Sequence, residues 1–133
     1  MNDFALHPRL AADTVFVADW PLSRVLLMED ARYPWLVLVP RLAGLVEFTD
    51  LAAPDRVRLM EEVARAAEAV RGLPNVAKLN IGALGNLVPQ LHVHVVGRNP
   101  GDPAWPGPVW GHSDPVRHDP AGLAAKLSLV RSS

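Results

Sequence analysis

The chain has 133 residues, half of them hydrophobic and a fifth charged, with a formal net charge of −1. That length suits one domain able to bury about two-thirds of its unfolded surface in a single core, and the near-neutral balance gives no electrostatic case for duplex nucleic acid or an acidic membrane. There is no cysteine, so neither disulfides nor thiolate chemistry is available. The opening residues 1–8 lack the basic start and apolar run of a signal peptide, and no stretch reaches the roughly 20 apolar residues of a membrane span. The expectation is a cytoplasmic protein with no membrane partner.

Residues 4–12 read as a short helical turn or an irregular lead-in. Thr14–Asp19 and Arg24–Met28 are strand candidates separated by Trp20-Pro21-Leu22-Ser23, and the polar run Glu29–Pro34 reads as a connection. Trp35–Val39 is nearly all apolar, as expected of a central strand covered on both faces, and Pro40 ends it. Three strands with short connections predict an antiparallel meander. The main helix follows, with Pro54 in its first turn and Gly72 and Pro74 as its stop. Val57, Met60, Val63, Ala64, Ala67 and Val70 recur at helical spacing, which leaves Arg56, Arg58, Glu62, Arg65 and Glu68 to solvent. Val76–Ile81 is a fourth strand candidate, and Gly82–Pro89 a loop with two glycines.

The fifth strand candidate, Gln90–Arg98, carries the chemistry. Side chains two apart in a strand share a face, so Gln90, His92 and His94 fall on one side and Leu91, Val93 and Val95 on the other. An amide and two imidazoles in a row form a group of donors and acceptors that titrates near neutral pH. After Arg98, six of the thirteen prolines fall between Pro100 and Pro120, with Trp105 and Trp110 among them; this is an extended arm. Asp119 and Pro120 open a C-terminal helix with Leu123, Ala124, Leu127 and Val130 as its apolar stripe. The order predicts an α+β fold: a five-stranded, mainly antiparallel sheet with one main helix and a C-terminal helix. Residues 1–133 form a single domain, with a core of about 14–110 and the arm and last helix over 111–133.

Three readings of the histidine strand stand on the residues alone. The pair can be catalytic. It can be structural, filling polar gaps on a covered sheet face. It can also ligate zinc or copper, with His112 or Asp114 as a third ligand, although no Cys or His stands at convincing spacing. Trp105 and Trp110 read as packing anchors or subunit contacts, and His7, His112 and His118 as surface residues.

The run Gln90-Leu91-His92-Val93-His94-Val95-Val96 resembles the histidine triad (HIT) motif, His-x-His-x-His followed by two apolar residues, with glutamine at the first position. Asn80 before a glycine-containing loop, Gly85-Asn86, Gly97-Arg98, the Trp105-Pro106-Gly107 arm and Leu36–Arg41 also resemble HIT landmarks, over roughly residues 14–110. The resemblance implies a HIT-like fold, commonly a homodimer, and hydrolysis or nucleotidyl transfer at the α-phosphate of a purine nucleotide or nucleotide conjugate, with no cofactor and no metal. It places His92 on the nucleophile that forms a covalent nucleotidyl intermediate, His94 on the position that supports the phosphate and carries a proton to the leaving oxygen, and Gln90 on the first triad position. Asn80 and Asn86 fall on phosphate-side positions. Either Glu29 or Asp30, with Asp30 preferred, falls on the ribose acceptor, and Leu26 or Met28 on the wall of the base slot. Arg98 reads as a phosphate contact or a solvated strand end. Three departures are present: Gln90 itself, Leu87 where relatives often have a hydroxyl residue, and Leu42 and Ala43 where many have a histidine. These departures also support another class, a nucleotide-binding module with weak or no turnover.

Overall fold

The computed structural model describes residues 3–133; Met1 and Asn2, the start of the segment read above for a signal sequence, lie outside the described residues. A short helix α1 (Pro8–Asp13) leads into strands β1 (Thr14–Asp19), β2 (Ser23–Met28) and β3 (Trp35–Pro40). A 3-10 turn at Phe48–Asp50 precedes the long helix α2 (Ala53–Arg71), and β4 (Lys78–Gly82), β5 (Val93–Arg98) and α3 (Pro120–Arg131) complete the chain. All strand pairs are antiparallel and the sheet order is β1-β2-β3-β5-β4. β5 is therefore inserted between β3 and β4, which brings the histidines to the middle of the sheet.

Register sorts the side chains onto two faces. Leu36 pairs with Val95 and with Leu27, and Leu38 with Val93 and Val25. These residues pack against Leu59, Val63, Ala66 and Val70 of α2, with Val130 of α3 at the margin. On the other face Val37 pairs with His94 and Leu26, and Trp35 with Val96. That face is covered by Leu10 of α1 and by Val88, Ala104 and Val109 from the loops. Every residue of β3 is buried, consistent with its uninterrupted apolar sequence. Among the described residues, no helix is long and apolar enough to cross a membrane.

Four expectations are corrected. The histidine strand begins at Val93, not Gln90, because Pro89 has no N–H and the Leu91 N–H is bonded to the Leu45 carbonyl beyond the end of β3. β4 starts at Lys78 rather than Val76; Asn75 stands at φ 65° just before it, and Val76 turns onto Gly97. The buried stripe of α2 is rotated from the predicted one: Val57 and Met60 are 66% and 65% exposed, and Ala64 is exposed too, whereas Leu59 and Glu62 are buried. The cause is polar. Glu62 accepts hydrogen bonds from Leu22 N (2.9 Å) and Ser23 N (2.8 Å), so its carboxylate terminates the β1–β2 turn, and Arg65 lies over Trp20 at 4.1 Å. On α3, Ala124 is exposed and the helix is held at its end, where Arg131 donates to the Phe16 and Val17 carbonyls on the outer edge of β1.

Two glycines are required by the geometry. Gly85 turns the loop before the histidines at φ 73°, a region that favours glycine. Gly97 lies under the end of α2: a Cβ there would stand 2.7 Å from Val76 Cγ2 and 3.0 Å from Val70 Cγ1.

Candidate active site

His92 and His94 are both buried on the face opposite α2, with ring centroids 4.8 Å apart in an edge arrangement. His92 lies just before β5, and its Nδ1 is 2.6 Å from the Gln90 carbonyl oxygen. A carbonyl only accepts, so Nδ1 carries the proton and the lone pair of the neutral ring is on Nε2. Burial holds the His92 imidazole below its usual range; the Gln90 carbonyl works against this and a charge on His7 works with it.

His94 has the opposite tautomer. Its Nδ1 accepts from the indole N–H of Trp35 at 3.0 Å, so Nε2 bears the hydrogen. Trp35 and Trp110 both meet the ring edge-on, at 5.7 and 5.5 Å, and Trp110 in turn packs over Gly82. Burial in this aromatic box, with the charge of His92 as a lesser cause, pushes the His94 pKa down to about 3. A ring held neutral, with its Nδ1 lone pair spent on Trp35, is left with Nε2–H as a hydrogen-bond donor.

The pair opens onto a cavity of about 530 Å³ lined by Leu10, Met28, Asp30, Asn86, Trp110 and Ser113 among others. A smaller cavity on the other flank of His92 is bordered by Val46, Glu47, Phe48 and Leu84. Of the residues singled out in the sequence, His92, His94, Asn86, Asp30 and Met28 border the larger cavity. Leu87 is 79% exposed at its rim, and Leu26 is buried in the core beneath.

Gln90, Asn80, Arg98 and Glu29 are engaged elsewhere. The Gln90 carboxamide accepts from His7 N (2.8 Å) and donates to the Ala5 carbonyl (2.9 Å), so both its ends hold the N-terminal segment. Arg98 is 1% exposed and is neither a cavity wall nor a solvated strand end. Its guanidinium binds both oxygens of Asp102, Asn80 Oδ1 (2.7 Å) and the Gly107 carbonyl (2.8 Å), which braces the turn after β5 and uses the Asn80 oxygen. Asp102 is correspondingly held below the usual carboxylate range by Arg98. Glu29 accepts from His118 Nδ1 at 2.9 Å, and this bond holds its carboxyl low. The His118 side chain is 2% exposed, not a surface group, and Lys126 Nζ donates to its Nε2. Asp30 keeps its place at the cavity while pairing with Arg32. Burial would raise its carboxyl, but the bonds from Arg32 and Val116 outweigh that and hold it low.

Sequence reasoning missed Trp35, Arg9, Asp13, Arg32 and Ser113 at the cavity. Trp35 was findable: it is two residues from Val37, the pairing partner of His94, and so shares its face. The others arrive through α1 (Arg9, Asp13), the β2–β3 connection (Arg32) and the arm (Ser113), whose docking leaves no local signature. Among the described residues, no three His, Cys, Asp or Glu side chains are grouped to hold a metal ion.

A central antiparallel sheet with a long helix on one face and two buried imidazoles beside a cavity on the other defines an α+β protein with a histidine-centred site. The HIT domain profile matches residues 9–101, and the chain belongs to the histidine triad family. Family membership supports nucleotide binding or nucleotidyl hydrolase and transferase chemistry in general. A histidine triad protein from Bradyrhizobium japonicum matches at 48% identity and TM-score 0.95, covering 97% of this chain and 96% of that one. One from Marinobacter aquaeolei matches at 43% and 0.93, over 97% and 94%. One from Sinorhizobium meliloti matches at 38% and 0.94, over 98% and 96%. Comparison with curated proteins gives no match.

Proposed function

We propose that the protein is a nucleotide hydrolase or nucleotidyl transferase in which His92 attacks the α-phosphate of a purine nucleotide conjugate. The observation that carries this reading is the bond from His92 Nδ1 to the Gln90 carbonyl, which leaves a lone pair on Nε2 of a ring that burial keeps neutral. Nε2 forms a bond to phosphorus as the bond to the leaving group breaks, and the leaving group departs with that electron pair and a proton drawn from solvent. Water or another acceptor then attacks phosphorus and releases its proton to solvent, the nitrogen–phosphorus bond breaks, and the pair returns to Nε2. His94, through Nε2–H, and Asn86 donate to the phosphate oxygens. Asp30, at the cavity, accepts from the ribose in preference to Glu29, whose carboxylate holds His118. Met28 and Leu10 wall the base.

The test is turnover of adenosine and guanosine phosphoramidates and dinucleoside polyphosphates by wild type and His92→Ala, with chelator present. Turnover lost in the variant upholds the reading. No turnover, with nucleotide bound equally by both proteins, sinks it in favour of a binding module, the reading that the commitment of Gln90 to the N-terminal segment favours. We also propose a homodimer across β4, an edge strand on which Ile81 is exposed. Light scattering that gives a monomer at micromolar concentration would refute the dimer.

A further inference from the structure

Two cavities meet at His92. Leu84, Gly85 and His92 border both, so the ring of the nucleophile stands between them. In-line attack by Nε2 puts the breaking bond on the far side of phosphorus from the ring. The substituent beyond that bond then lies along one flank of the histidine, and the nucleoside occupies the larger cavity. The smaller one, of about 310 Å³, is left for the rest of the conjugate. That is ample for one ring, since an apolar cavity of about 150 Å³ holds benzene.

Its walls are apolar and fixed. Val46, Phe48 and Leu84 are three large apolar side chains that stand exposed, and all three border this cavity. The loop that carries Val46 and Phe48 is pinned at both ends. Asp50 Oδ2 accepts from Val46 N at 3.1 Å and Glu47 N at 2.8 Å, and the Leu45 carbonyl accepts from Leu91 N at 3.0 Å, one residue before His92. A wall fixed in this way needs little ordering when a ligand binds.

Charge sorts the ligand. Among the described residues that border the smaller cavity, neither lysine nor arginine occurs, and Glu47 is the one charged side chain besides the titratable His92. The Gln90 carboxamide is spent on the N-terminal segment. An anionic tail would lose water to apolar surface and meet a carboxylate. An aromatic tail would pack on the Phe48 ring.

We propose that the smaller cavity is the leaving-group subsite, and that it selects conjugates whose leaving group is aromatic and carries no negative charge. This rests on the reading of His92 as the nucleophile.

The probes are the adenosine 5′-phosphoramidates of methylamine, phenethylamine and β-alanine, which share the nucleotide and the scissile bond and differ in the tail. The first readout is kcat/KM for wild type, Phe48→Ala and Glu47→Lys. The second is calorimetric affinity of the same probes for His92→Ala, with and without Phe48→Ala. In wild type the phenethyl probe exceeds the methyl probe by about tenfold, and the β-alanine probe falls below it by about threefold. Phe48→Ala brings the phenethyl probe within about threefold of the methyl probe, and Glu47→Lys lifts the β-alanine probe above it. Turnover that is equal across the three tails within about twofold overturns the subsite and leaves the nucleophile standing. No turnover, with the same order of tails in affinity for His92→Ala and its loss on adding Phe48→Ala, upholds the subsite and defeats the catalytic reading. No turnover and no order in affinity overturns both. A tail preference unmoved in Phe48→Ala, in a variant that light scattering shows to have gone from dimer to monomer, overturns the subsite and makes a second copy of the chain the occupant.

Discussion

Replacing Trp35 by phenylalanine removes the indole hydrogen bond that sets the tautomer of His94. The indole N–H donates to His94 Nδ1 at 3.0 Å inside a buried aromatic box, and phenylalanine keeps a ring there but offers no donor. A buried acceptor left without a partner costs about 1–3 kcal/mol. Truncation of the indole adds a packing loss, so the variant is less stable by about 2–4 kcal/mol. The functional effect is separate. With Nδ1 released, the two neutral tautomers of His94 become comparable, and the Nε2–H donor is no longer guaranteed. Losing about 1–2 kcal/mol of transition-state hydrogen bonding lowers kcat/KM by about 5–30-fold. Nitrogen-15 NMR of the imidazole reads the tautomer and steady-state kinetics reads the loss. A His94 that remains protonated on Nε2 in Trp35→Phe, with kcat/KM within about twofold of wild type, would refute the assignment.

Three further outcomes follow from the packing. His94 has a folded pKa of about 3, against about 6.5 for a free imidazole. Between those values the unfolded chain binds the extra proton, so the contribution is whole above pH 6.5 and is lost by about 1.4 kcal/mol per unit as pH falls toward 3. His94→Phe should flatten the fall of stability between pH 6 and 4, and an unchanged slope would contradict this. Glu62→Ala strands the Leu22 and Ser23 N–H groups and should cost about 2–4 kcal/mol in urea unfolding, with Glu62→Gln costing less; a loss under about 1 kcal/mol would show that the turn finds other acceptors. Gly97→Ala drives a methyl to within 2.7 Å of Val76 and should cost about 1–3 kcal/mol; Val76→Ala in the same chain should restore part of it, and strict additivity of the two losses would argue against the clash.

The sheet and the histidine face were legible because strand periodicity is local. Alternation at 91–96 separates His92 and His94 from Leu91, Val93 and Val95 without knowledge of any partner. The apolar run Trp35–Pro40 similarly announces a strand covered on both sides. What was not legible depends on contacts distant in sequence. α2 offers two apolar stripes, through Val57 and Met60 or through Leu59, and the choice is made by Glu62 reaching a turn some forty residues earlier. The task of Gln90 depends on a segment 83 to 85 residues away. Arg98 and His118 lie in polar-looking stretches, and only the folded arm shows that their side chains are buried against Asp102 and Glu29.

The most direct test of the central claim is to mix wild type with an adenosine phosphoramidate, quench within the first turnovers and map the protein by mass spectrometry under conditions that preserve nitrogen–phosphorus bonds. The account predicts one nucleoside monophosphate on the peptide containing His92, absent from His92→Ala. Turnover without an adduct at any quench time, or an adduct that persists in His92→Ala, would contradict it.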